Sequence, residues 1–154
     1  MDAESVKFNG VVAYIDYEDA GAMIEWLERV FGFEERARYV DKDGIVRQAE
    51  MFIGDTELWL AGHDPGYWAQ KGHDPDRWLG VWVDDVDAHH DRVKAAGATI
   101  SRPPEDQDYD VRTYQVDDPE GYHWGFMKRL GTGYIQRIPT EEGGWEEILA
   151  SDRR

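Results

Sequence analysis

Apolar positions along the chain alternate between two periods, and they do so in the same order twice. Val11-Val12-Ala13-Tyr14-Ile15, followed by Asp16 and Tyr17, is a short β-branched and aromatic run that predicts a strand. Glu18-Asp19-Ala20 then opens a helix, with acid at the positive end of its dipole. Ala22, Met23, Trp26, Leu27 and Val30 follow at helical spacing, and Gly32 ends the stripe. Strands are predicted over 34–40, 45–53 and 56–61, separated by turns at Asp41-Lys42-Asp43-Gly44 and Gly54-Asp55. The second half predicts a strand at 78–83, a helix from Asp85 to about Ala96 closed by Gly97, and a short strand at 98–101. Pro103-Pro104 and the acidic residues up to Asp110 are expected in a loop. Strands at 111–116 and 122–127 follow, joined by the turn Asp117-Asp118-Pro119-Glu120-Gly121.

Laid over each other, the halves match: Asp19 falls on Asp85, Val46-Arg47 on Val111-Arg112, and the Gly54-Asp55 turn on Pro119–Gly121, at an offset of 65 to 68 residues. Five ordered elements at one offset predict a duplicated βαβββ unit, an α+β fold. The expected organisation is a first module at 1–61, a linker at 62–77, a second module at 78–128 and a C-terminal extension at 129–154, with a short helix around Trp145, Ile148 and Leu149. The linker carries an echo, GHDPGYW at 62–68 and GHDPDRW at 72–78. Repeated His-Asp pairs suggest a metal. They are read instead as two Asx-Pro turns, each with an aromatic packed beneath, because a linker pair has no third ligand of fixed geometry.

Charge narrows the partners. The chain has 33 Asp+Glu against 17 Lys+Arg, a formal −16, spread as −9 over residues 1–77 and −7 over 78–154. Nucleic acid and anionic membranes are disfavoured, since both need clustered Lys and Arg. With 41% hydrophobic and 13% aromatic residues, the chain can build a core and is not a disordered acidic segment. It has no cysteine, which excludes disulfides, thiolate metal sites and a Cys nucleophile. The first ten residues have neither a basic nor an apolar signal-peptide region, so a cytoplasmic protein is expected.

The duplicated plan and four strings, WLERVFGF at 26–33, VDDVDA at 83–88, AAGA at 95–98 and DPEGYHW at 118–124, together resemble the vicinal oxygen chelate superfamily. That superfamily holds glyoxalase I, bleomycin resistance proteins and extradiol dioxygenases. The resemblance implies two modules pairing into an open, cup-like barrel with the site in the cup, usually in a homodimer. In metal-using members four side chains, from the first and fourth strands of each module, hold a divalent ion. Those places fall here on Val12, Glu57, Trp78 and Gly125. Only Glu57 can ligate, so no metal site and no cofactor are expected, and the metal-free bleomycin-resistance-like branch is the nearer likeness.

Strand alternation lists the residues facing the cup. Val12, Tyr14, Glu57 and Trp59 come from the outer strands of module one, and Trp78, Trp82, His123 and Met127 from those of module two. Gln48, Glu50, Thr113 and Gln115 join from the middle strands. Three Trp, a Tyr, two carboxylates and several polar groups suit a small planar or cationic organic molecule, stacked on indole and oriented by the amides. The function expected is sequestration of such a molecule, as in antibiotic resistance. The alternative is a glyoxalase-like lyase or isomerase, either metal-dependent or using Glu57 and His123 as an acid–base pair. Arg47 and Arg112, at matching strand starts, are expected to pair with the acids of 105–110.

Overall fold

The duplication is visible strand by strand. The computed structural model describes residues 5–132 and 149–153. Its elements are β1 (Ala13–Asp16), α1 (Ala20–Trp26), β2 (Glu34–Val40), β3 (Val46–Ile53), β4 (Thr56–Ala61), α2 (Tyr67–Lys71), β5 (Trp78–Trp82), α3 (Val86–Ala95), β6 (Thr99–Asp106), β7 (Val111–Asp117) and β8 (His123–Arg129). They form two four-stranded mixed sheets of the same topology, β1-β4-β3-β2 and β5-β8-β7-β6. In each, the first strand runs parallel to the fourth and the other pairs are antiparallel. The sheets remain open and do not close into a barrel. No helix among the described residues is long and apolar enough to cross a membrane. The predicted tail helix around Trp145 and Ile148 lies outside the described residues.

Helices α1 and α3 begin as their sequences dictate. Asp19 caps α1 by accepting the Ala22 N–H at 2.9 Å, and Asp85 caps α3 by accepting that of Ala88 at 3.0 Å. After α1 the chain makes a π-helical turn over Leu27–Phe31 and stops at Gly32, whose φ of 85° is the left-handed conformation a side chain resists. The apolar stripe of α1 and this turn buries Met23, Ile24, Leu27, Val30 and Phe31. These meet Leu58, Leu60, Ala49 and Met51 of the first sheet and Val116, Trp124 and Phe126 of the second in one core. Phe31 joins the modules, with its ring centroid 5.4 Å from that of Trp124 and 4.8 Å from that of Phe126.

The turn before β8 does more than reverse the chain. Asp118 is buried, accepting from Tyr17 Oη at 2.7 Å, Trp124 Nε1 at 3.0 Å and the backbone N–H groups of Glu120 and Tyr122. Burial pushes its carboxyl above the ordinary range, against those four bonds, and raises the Tyr17 hydroxyl too. Glu120 reaches back across the modules. Its carboxylate accepts from the N–H of Glu18 at 2.7 Å and of Asp19 at 3.0 Å, at the start of α1, and from Trp68 Nε1 at 2.6 Å.

Two expectations are corrected. The prolines do not lie in a loop, because β6 runs straight through Pro103-Pro104 to Asp106. It is the outer strand of its sheet, where a missing N–H is tolerated, and its pairing with β7 slips at Ile100/Arg102 and Arg102/Glu105 to accommodate them. Arg112 does pair with an acid of the 105–110 stretch, Asp106 at 2.9 Å, as well as with Asp87. Arg47 instead holds Asp41, in the turn before β3, and Asp64, in the linker after β4.

Removing the buried carboxylate strands four donors. Asp118→Ala is expected to cost about 3 kcal/mol or more of unfolding free energy in urea, and Tyr17→Phe about 1 kcal/mol. A second prediction concerns His89 of α3, whose Nε2 donates to the Phe31 carbonyl at 2.9 Å while Nδ1 accepts from Tyr114 Oη at 2.6 Å. Burial holds this imidazole below its ordinary range, so the folded chain binds a proton less readily than the unfolded one. The neutral ring's contribution is complete above about pH 6.5 and is lost as the pH falls below that. Urea midpoints measured between about pH 7 and 5 should fall more steeply for the wild type than for His89→Gln.

Candidate ligand-binding site

The predicted cup-facing residues sit on the sheet faces opposite the helices, in two clusters. On the first sheet Tyr14, Trp59 and Glu50 stand side by side across β1, β4 and β3. The Tyr14 and Trp59 rings meet edge to face at 6.2 Å, and Gln48 Nε2 donates to Tyr14 Oη at 3.2 Å. Glu50 is not a free charge, since the Arg36 guanidinium holds it through Nε at 2.6 Å. A register slip between Glu35 and Ala37 accompanies this pairing of β2 with Glu50.

On the second sheet Trp78 stands beside His123, Trp82 beside Met127, and Gln115 beside Gly125. His123 Nδ1 donates to Asp117 at 2.6 Å, and Arg129 sits 4.4 Å above the Trp82 ring. Trp78 is the distinctive member. A Cβ on Gly125 would lie 2.6 Å from its Cζ2, and one on Gly80 would lie 2.5 Å from its Cη2. The indole therefore lies across two glycines of neighbouring strands, and the residue stays 52% exposed. Thr113, expected in the cup, is buried beside Met127, its partner in register.

Glu57 and His123, the candidate acid–base pair, belong to different sheets, and among the described residues no hydrogen bond or ion pair joins them. Glu57 instead lines a groove of about 330 Å³ shared with Val11, Ile53, Leu79 and Trp82. Three of the four places that the resemblance assigns to a metal hold residues that do not fit an ion: Val12 and Gly125 carry no donor, and the Trp78 indole, no ligand itself, covers Gly125. Among the described residues no three His, Asp or Glu side chains gather closely enough to hold one.

A larger cleft, about 640 Å³, opens where β1 and β5 approach, under α2. Tyr14 and Trp78 line it with Trp68, Tyr122, Asp16, Asp74, Lys71 and Arg77, residues that strand alternation alone did not reach. The linker echo was the available signal. Each of its histidines stacks on an aromatic of α2, His63 on Tyr67 at 3.6 Å and His73 on Trp68 at 4.0 Å. His63 also donates to Asp16 at 2.9 Å and His73 Nε2 to the Glu120 carbonyl at 2.5 Å. The two histidines thus fasten a short helix over the cleft.

Two open βαβββ sheets, with helices on one face and aromatic and polar side chains on the other, define the fold of glyoxalases and bleomycin resistance proteins. The model of the Glyoxalase/Bleomycin resistance protein/Dioxygenase superfamily matches residues 12–126, and the chain belongs to that superfamily. An uncharacterised protein of Mycobacterium tuberculosis is 31% identical over 135 residues, 82% of this chain and 79% of its own. Among solved structures, TioX from Micromonospora sp. ML1 is similar, at 30% identity and TM-score 0.65, over 80% of this chain and all of its own. A glyoxalase/bleomycin resistance protein/dioxygenase from Nocardioides shares the fold at 16% identity and TM-score 0.62, over 89% of this chain and 95% of its own.

The glycine support can be tested directly. Gly125→Ala should displace the Trp78 ring, which can swing into open space, at a cost of about 1 kcal/mol. The expected sign is a changed near-ultraviolet circular dichroism band together with a small shift in the urea midpoint.

Proposed function

We propose that this protein binds a small planar aromatic molecule without transforming it, using Trp78 as the stacking surface. The supporting observation is the seating of that indole across Gly80 and Gly125, with half of it left open. A ring backed by main chain is held flat before the ligand arrives, so little ordering cost remains to be met on binding. Tyr14, Gln48, Trp59, Trp82, Gln115 and Met127 supply the rest of the aromatic and polar wall, with Glu50 and Glu57 as its acids. A bound metal is not required in this reading, because Val12, Trp78 and Gly125 offer it nothing. Membership of a superfamily that includes bleomycin resistance proteins fits sequestration of a toxic compound in the cytoplasm by a homodimer.

The cationic preference expected from composition is weakened by the Arg36–Glu50 pair, which removes one of the two acids from play. Catalysis has one observation in its favour. His123 is oriented by Asp117, an arrangement that suits a general base, although no substrate-facing partner accompanies it. Binding alone is the better supported function.

Planar probes of one shape and different charge test the proposal: 9-anthracenemethanol (neutral) and 9-aminoacridine (cationic), each followed by quenching of tryptophan emission. Both should bind the wild type, and Trp78→Ala should weaken both by about tenfold, the scale of one aromatic stack. Equal affinity for wild type and variant, or no quenching by either probe, overturns the proposal.

A further inference from the structure

The cleft under α2 holds charges of both signs, and they are not equally committed. Asp16 accepts from His63 at 2.9 Å, and its charge also acts on Lys71. Asp74 closes its own turn by accepting the Asp76 N–H at 3.2 Å. Lys71 donates to Tyr67 Oη at 2.7 Å and lies over the same ring. Arg77 has no carboxylate partner among the described residues. Its charge is felt instead at the Tyr122 hydroxyl, whose proton goes to the Asp16 carbonyl at 2.8 Å.

Arg77 shares that state with Arg29, Arg92, Arg102 and Arg129, none of which holds a carboxylate among the described residues. Arg36, Arg38, Arg47 and Arg112 all hold acids. No ion pair among the described residues ties down Arg77, and what sets it apart is its place. It immediately precedes Trp78 and lines the same cleft as the indole. A guanidinium left open beside a stacking surface is a planar, permanently charged fork suited to a carboxylate or a similar oxyanion.

We infer that the cleft is a second subsite, in which Arg77 receives an anionic arm of the ligand whose aromatic part stacks on Trp78. The inference rests on the stacking role given to Trp78, and it reverses the charge expected from composition. An acidic protein would repel an anion at long range, so the recognition is local and short-ranged, through a pair formed at the cleft.

Two anthracenes differing in one group separate the ideas. Anthracene-9-carboxylate and 9-anthracenemethanol share the ring system, and only the first carries an anion. The wild type should prefer the carboxylate by about tenfold, the scale of one charge-assisted contact, and the preference should shrink as salt is raised. Arg77→Met should bring the ratio close to one. Arg102→Met, which removes an exposed arginine of β6, should leave the ratio as in the wild type. A wild-type ratio near one, or a preference that survives Arg77→Met, overturns the subsite while leaving the stacking proposal intact. Loss of stacking shows separately, as equal affinity of wild type and Trp78→Ala for the neutral alcohol. Failure of the wild type to bind either anthracene overturns both.

Discussion

The turn between β7 and β8 is the constraint on which the other parts depend. Its two carboxylates work in opposite directions. Asp118 faces inward, where it gathers the Tyr17 hydroxyl from module one and the Trp124 indole from its own module. Glu120 faces the other module and accepts two backbone N–H groups at the start of α1, a place where the helix dipole favours negative charge. The same Glu120 holds Trp68, which stacks on His73 and so fixes the roof of the cleft. One short turn therefore sets the angle of a helix, the meeting of two modules and the shape of a cavity.

This arrangement also explains how a chain so acidic keeps an ordered site. Most of the site's charges are spent on neighbours. Glu50 is held by Arg36, Asp117 by His123 and Asp16 by His63. What remains available is largely aromatic surface, and aromatic surface is insensitive to the overall field. Exposed polar pairs of this kind contribute at most about 1 kcal/mol each to stability. Their larger effect here is to decide which groups a ligand meets.

Much of the fold was legible because the two periods of the apolar pattern, 2 and 3.6, switch cleanly at Asp19 and Asp85, which then act as the helix caps. Alternation also placed Tyr14, Trp59, Trp78 and Trp82 on the faces away from the helices. It failed where the chain departs from regular pleating. The slip at Arg36 that accompanies its pairing with Glu50 leaves no mark in the pattern, and Pro103-Pro104 read as a loop because nothing in sequence says which strand will be outermost. Asp118 and Glu120 read as turn residues, which they are. Their long-range partners, about a hundred positions away, depend on how the modules dock and not on any local signal. The cleft escaped for the same reason, since its wall is shared among β1, β5 and the linker.

The prolines of β6 have a consequence for how this molecule meets others of its kind. A sheet invites new strands at its two margins, and an open pair of sheets has more margin than a closed barrel. Of the four edge strands here, β6 lacks N–H donors at Pro103 and Pro104, and β2 carries Glu34, Glu35, Arg36 and Arg38. Neither offers a clean ladder to a foreign strand. Growth by endless strand addition is thereby discouraged at these two edges, which leaves β1 and β5, the strands beside the cleft, as the margins with an unbroken row of donors.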